Sequence, residues 1–254
     1  MSLVYILGMA GSGKTTLTAK FSEWLEKNGE IVKRANLDPG VVQLPYKPDF
    51  DVREIVNLQE LMRREGLGPN GGLLRANEIM LQNINVISSR INELSKNASY
   101  ILIDTPGQLE LFAFRELGSK VISSLSSLNS VGIFLIDALN LVRASDVVMA
   151  VLLTLAIRFH LDIDVVMIIN KIDTTDQKPV YLLRQFFANP KVFMEEITRE
   201  NGGIIGEMTM QLVDVLREFL PPSRIVAISA LKMDNLDDLF SIIHDVFCGC
   251  GDLM

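Results

Sequence analysis

The segment Gly8-Met9-Ala10-Gly11-Ser12-Gly13-Lys14-Thr15 constrains this chain more than any other. It matches G-x-x-x-x-G-K-[ST] and stands between an apolar run, Leu3 to Leu7, and a stretch of helical spacing, Thr15 to Asn28, closed by Gly29. Small residues in such a turn let backbone amides point inward at a helix N-terminus, where the dipole also favours anions. Short uninterrupted apolar runs recur at Tyr100 to Ile103, Val131 to Ile136, Val165 to Ile169 and Ile225 to Ile228. Continuous rather than alternating runs mean strands covered on both faces. Their alternation with helical segments, ending with Asn235 to Phe247, gives an α/β fold of the P-loop NTPase type with a mostly parallel, doubly covered sheet. Glu30 to Asn36 is more polar and belongs nearer the sheet edge.

Residues 1–254 read as one domain carrying two helical insertions, at about 38–98 and at 174–222. From Asp38 to Ser99 the chain is far longer than the roughly twelve residues that a crossover between parallel strands needs. There Asn57 and Glu60 resemble a capping box, Gly66 to Gly72 breaks the helix they open, and Leu73 to Leu94 predicts one long helix. In the second insertion Pro179, Pro190, Gly202 and Gly203 read as breaks before a helix over Ile205 to Leu220. Function-specific surfaces are expected on these insertions.

Net charge is −7 and the pI about 5.0, a field that opposes direct nucleic-acid binding. The longest apolar run, Val147 to Ile157, is too short to cross a bilayer, so no membrane role is expected. Met1 to Leu7 lacks the basic region and cleavage site of a signal peptide, and the only cysteines, Cys248 and Cys250, are too close for an unstrained disulfide. A cytoplasmic protein is the expectation. Mean hydropathy is +0.28, which fits either a well-filled core or apolar surface buried between subunits.

The chemistry-bearing residues fall at the ends of these strands. Gly11, Ser12, Gly13, Lys14, Thr15 and Thr16 are the expected nucleotide contacts of the first loop; Lys14 would neutralise the β and γ phosphates and Thr15 would ligate Mg²⁺. Asp104-Thr105-Pro106-Gly107-Gln108 follows a strand, so Asp104 can join the Mg²⁺ shell and Gly107 can give its amide to the γ-phosphate and move when that phosphate leaves. In Asn170-Lys171-Ile172-Asp173, the Asp173 carboxylate can accept from N1–H and the 2-amino group of guanine while the Lys171 stem covers the base. Adenine would leave that carboxylate unpaired, a loss of about 1 to 3 kcal/mol. Ser229-Ala230 can supply a backbone amide to guanine O6. These stations occur in the order of a P-loop GTPase, with GTP and GDP as substrate and product.

Gly68-Pro69-Asn70-Gly71 narrows the reading further. Together with Asn36-Leu37-Asp38-Pro39 and Asp51-Val52-Arg53, and with the phosphate loop, Asp104 to Gln108 and Asn170 to Asp173, it makes nearly the whole chain resemble the GPN-loop GTPases. The resemblance implies a homodimer in which Asn70 approaches phosphates bound by the opposite subunit. It implies that Asp38 lies near Mg²⁺ and the attacking water, that Gln108 and Glu110 orient that water, and that hydrolysis is slow and coupled to dimer shape. Eukaryotic relatives assist RNA polymerase assembly; without their acidic C-terminal extension the chain is more similar to the archaeal single-form type, so its protein client is not identified. It departs from related dimeric P-loop proteins in carrying Met9 and Ala10 where an extra lysine often stands, and in having Leu231 after Ser229-Ala230.

Other candidates carry less. Cys248 and Cys250 read as free thiols rather than half of a dimer-bridging zinc site, and His160 and His244 as structural. Arg75 and Arg115 read as solvated or salt-bridged rather than arginine fingers. The expected activity is Mg²⁺-dependent hydrolysis of GTP by direct attack of water. The competing class is a GTP-regulated binding or assembly scaffold in which hydrolysis is incidental. A P-loop kinase is disfavoured by Asn170 to Asp173 and by the lack of an evident acceptor pocket.

Overall fold

A computed structural model describes residues 1–200, 203–219 and 225–249. In chain order these form β1 (Ser2–Gly8), α1 (Lys14–Lys27), β2 (Val32–Asn36), β3 (Phe50–Asp51), α2 (Leu58–Glu65), α3 (Pro69–Gln82), α4 (Ile84–Ser95), β4 (Tyr100–Asp104), α5 (Leu109–Ala113), α6 (Glu116–Ser124), β5 (Asn129–Asp137), α7 (Ala144–Leu161), β6 (Asp164–Asn170), α8 (Lys178–Ala188), α9 (Pro190–Glu200), α10 (Ile204–Phe219), β7 (Val226–Ile228) and α11 (Leu236–Gly249). The strands make one sheet, ordered β3-β2-β4-β1-β5-β6-β7, and every pairing is parallel.

Apolar content explains the order. β1 is buried from Leu3 onward because it lies between β4 and β5 and is covered on both faces. Leu3, Tyr5 and Leu7 pack into the core shared with α5 to α9, while Val4 and Ile6 pack into a second core with Leu17, Phe21 and Leu25 of α1 and Leu239 and Ile243 of α11. The more polar β2 lies one strand in from the edge, capped only by the two-residue β3. The expected parallel, doubly covered sheet is therefore the observed one.

The insertions differ from expectation in detail. The helix expected over Leu73 to Leu94 is two helices. Asn83 leaves helical geometry at φ −105° and ψ 19°, and its side-chain amide turns back to donate to the Ile79 carbonyl at 2.8 Å. A short polar side chain here competes with the backbone ladder and starts a new helix at Ile84. Gly66, left-handed at φ 64°, ends α2, but the break closes at Gly68: Pro69 and Asn70 already lie in the first turn of α3, where proline's missing N–H costs nothing. Pro179 and Pro190 likewise open α8 and α9 instead of interrupting them. Gly202, Leu220 and Pro222 lie outside the described residues, as does Cys250. Asn57 caps α2 as expected, its Oδ1 accepting from the Gln59 and Glu60 amides at 3.0 and 3.2 Å.

The apolar run of Val147 to Ile157 belongs to the 18-residue α7, whose mean hydropathy of 1.6 makes it long and apolar enough to cross a membrane by those measures alone. Here it is the crossover from β5 to β6, with Val147, Val148, Val151 and Ile157 buried in the core. At the foot of α7, Gly118 of α6 permits close packing, since a Cβ there would collide with the Phe112 carbonyl and stand 2.9 Å from Leu161 Cδ2. Gly118→Ala should lower stability by about 1 to 3 kcal/mol despite better helix propensity, read as a lower urea midpoint at unchanged slope. A midpoint at or above that of the parent protein would show that the contact yields.

Candidate functional site

The carboxyl ends of β1, β4, β6 and β7 converge on one crevice. Gly8, Gly11 and Gly13 have φ of 153°, 78° and 98°, so the loop bends where L side chains are strained. Gly13 is also held by space, because a Cβ there would strike the Asn170 amide. That amide, buried at the end of β6, donates to the Ser12 carbonyl at 2.8 Å, and its oxygen accepts the Ala230 N–H at 3.0 Å. One side chain thus joins the phosphate loop to the expected base loop.

Lys14 is 6% exposed and its ammonium donates to the Gly8 and Met9 carbonyls at 2.9 and 3.1 Å. Burial lowers its pKa, while the charges of Asp104 and Asp38 oppose that shift. Thr15 and Thr16 follow in the first turn of α1, both half-buried. Asp104, 1% exposed, ends β4; its Oδ2 accepts from the Tyr46 hydroxyl at 3.0 Å, and its Oδ1 has no hydrogen-bond partner. Burial pushes its pKa up to about 6, against the lowering effects of the Thr15 and Tyr46 hydroxyls and of Lys14. A buried carboxylate with an orphaned oxygen beside a threonine hydroxyl is a hard-oxygen set that fits a small divalent cation. Asp38 completes the cluster: its Oδ1 accepts the Gly40 amide at 2.8 Å and its Oδ2 the Gly107 amide at 3.3 Å.

On the expected base side, Asp173 follows β6 in a short turn. The Ser229 hydroxyl holds its carboxyl below the usual range; burial opposes this, and Lys232 and Lys171 assist. Lys232 Nζ stands 4.0 Å from Asp173, so a cation reaches this carboxylate although Leu231 occupies the preceding position. Ser229 and Ala230 are buried. Lys171 adopts left-handed backbone at φ 67°, and its ammonium pairs with Asp137 at 2.6 Å.

The structure therefore brings together Lys14, Thr15, Asp38, Asp104 and Gly107, and separately Asn170, Lys171, Asp173, Ser229 and Ala230. Gln108 follows Gly107 at the N-cap position of α5 without a side-chain capping bond, and Glu110 is exposed in the first turn of that helix. Asn70 is exposed, and among the described residues no contact that ties this cluster involves it. Arg75 is engaged by Glu65 and Glu78 at 3.3 and 2.8 Å, and Arg115 is exposed at the start of α6. His160 packs against the Phe114 ring, and His244 Nδ1 lies 3.5 Å from Cys248 Sγ; no metal-sized cluster of His, Cys, Asp and Glu occurs among the described residues.

Sequence reasoning missed Tyr46, Asp137 and Lys232, which reach the site only through tertiary pairing. Asp51-Val52-Arg53, to which the sequence assigns no role, forms a clamp. Asp51 accepts from Asn36 Nδ2 at 2.9 Å and from Arg53, whose other guanidinium nitrogen donates to the Val41 and Val42 carbonyls at 3.1 and 3.2 Å. This clamp anchors the segment after Asp38.

Residues 6–249 match a family model described as a conserved hypothetical ATP binding protein. The chain is 33% identical over 251 residues to GPN-loop GTPase PAB0955 of Pyrococcus abyssi, covering 99% of both proteins. It is 31% identical over 244 residues to GPN-loop GTPase 1 of Dictyostelium discoideum, covering 94% of this chain but only 60% of that relative. The apo crystal structure of the Pyrococcus protein superposes with a TM-score of 0.87, covering 97% of this chain and 98% of that one.

The base-side geometry yields a specificity test. Asp173→Asn replaces an acceptor with an amide that can donate to a 2-oxo group, so GTP should bind more weakly and xanthosine triphosphate more tightly in competition titrations. An unchanged preference for GTP would remove Asp173 from the base site.

Proposed function

The chain belongs to the GPN-loop GTPase family, and on that premise we propose that it is a Mg²⁺-dependent GTP hydrolase acting as a nucleotide-controlled homodimer. The observation that carries the reading is Asp104 Oδ1, a buried acceptor without a donor, set beside Thr15, Asp38 and Lys14. Thr15, Asp104 and Asp38 would hold Mg²⁺, which when bound spreads the negative charge of the transferring phosphoryl group. Lys14 brings a second positive charge to the same phosphates. Asp173, with Ser229 and Lys232 behind it, selects guanine, while the amides of residues 11–16 take the phosphate oxygens. Gln108 and Glu110 orient the attacking water, and no covalent intermediate is needed.

The bond from the Gly107 amide to Asp38 supports a switch. A γ-phosphate that takes this amide displaces the Asp38 carboxylate, and Asp38 heads the segment clamped by Arg53. GTP arrival and loss are thereby transmitted to the first insertion. Exposed Met9 and Met149 line one cavity beside the phosphate loop, apolar surface that suits burial against a second subunit. Across such an interface Asn70, free at the tip of α3, reaches the partner's phosphates. A cytoplasmic setting agrees with this reading. A second reading, an assembly scaffold whose hydrolysis is incidental, is favoured by the exposed Ile205, Met208, Leu212 and Val215 along one side of α10.

Two experiments separate these roles. Gln108→Ala or Glu110→Ala should lower turnover by about tenfold or more with little change in affinity for a non-hydrolysable analogue, whereas equal losses in both would make the residues structural. Asn70→Ala should slow hydrolysis in an intact dimer, and mixing it with Lys14→Ala should restore activity through heterodimers holding one complete site. A mixture no more active than its parents, or a protein monomeric by light scattering with and without GTP, would rule out insertion in trans.

A further inference from the structure

Asp137, the last residue of β5, lies in register opposite Asn170 of β6. Its carboxylate is spoken for at both oxygens: Oδ1 accepts the Leu139 amide at 3.0 Å and Oδ2 the Lys171 ammonium at 2.6 Å. The Asp137 side chain is 14% exposed against 34% for Lys171, so the pair is shielded beyond an ordinary surface bridge. Lys171 sits in left-handed backbone, uncommon for a residue with a side chain, and its stem runs beside the phosphate loop: a Cβ on Gly13 would meet Lys171 Cε at 4.0 Å. A lysine stem has four rotatable bonds and loses its place easily when the head is free. We infer that Asp137 is a positioning residue for nucleotide binding, pinning the Lys171 ammonium so that the alkyl stem forms a fixed wall of the base site. The inference rests on the reading that residues 170–173 hold guanine.

Asp137→Asn keeps one oxygen for Leu139 and removes the charge that holds Lys171, so the turn after β5 survives. Titration of the full-length protein with a fluorescent GTP analogue should show Asp137→Asn and Lys171→Ala each weakening binding by about tenfold or less. The double variant should be no weaker than Lys171→Ala alone, because Asp137 acts only through the lysine. Competition by inorganic tripolyphosphate, which has no base, should be the same for all of them. Losses that multiply in the double variant would overturn the role of Asp137 while leaving Lys171 at the base, and tripolyphosphate binding that falls with that of the analogue would overturn the inference by placing the effect of the pair on the phosphates. Unchanged binding in Lys171→Ala would overturn both the lysine's place at the base and the inference built on it.

Discussion

The site depends on the buried amide of Asn170. Its donor and its acceptor are both committed to backbone of other loops, one to Ser12 and one to Ala230. Removing it would leave two buried backbone groups without partners, each costing about 1 to 3 kcal/mol. Its bulk also explains Gly13, which has no room for a side chain. The phosphate loop and the loop proposed to read the base are therefore joined through one side chain, on strands paired in parallel from β1 through β5 and β6 to β7.

Facing it are the contacts on which the proposed switch rests. Asp38 and Asp104 are two carboxylates facing one buried lysine, and each borrows a donor from a loop: Asp38 from Gly107, Asp104 from Tyr46. These bonds cross between the segment after β2 and the segment after β4. Any anion that takes the Gly107 amide, or any cation that takes Asp104, competes with a contact holding the first insertion. The Asn36, Asp51 and Arg53 clamp ties the Val41 and Val42 carbonyls to the sheet edge.

What was legible in the sequence is local. The phosphate loop, Asp104 and Asn170 to Asp173 stand at strand ends and carry their meaning in consecutive residues, and the continuous apolar runs place those strands inside a covered sheet. What was illegible is either competitive or long-range. Asn83 splits a periodic helix because its side chain outbids the backbone, and Pro69, Pro179 and Pro190 start helices because first-turn geometry tolerates them. Tyr46 reaches Asp104, Asp137 reaches Lys171 and Lys232 reaches Asp173 across strands that no spacing rule pairs.

On the proposed function, the crevice organised by Asn170 reads guanine. The matching family model is described by ATP binding, whereas the curated relatives are GTPases, so base choice is the most direct point of decision. Calorimetric titration of the intact protein with GTP and with ATP, each with Mg²⁺ and a non-hydrolysable linkage, measures it. GTP binding about tenfold tighter or more is expected, since adenine leaves the Asp173 carboxylate without its donors. Equal affinity for the two nucleotides would contradict it.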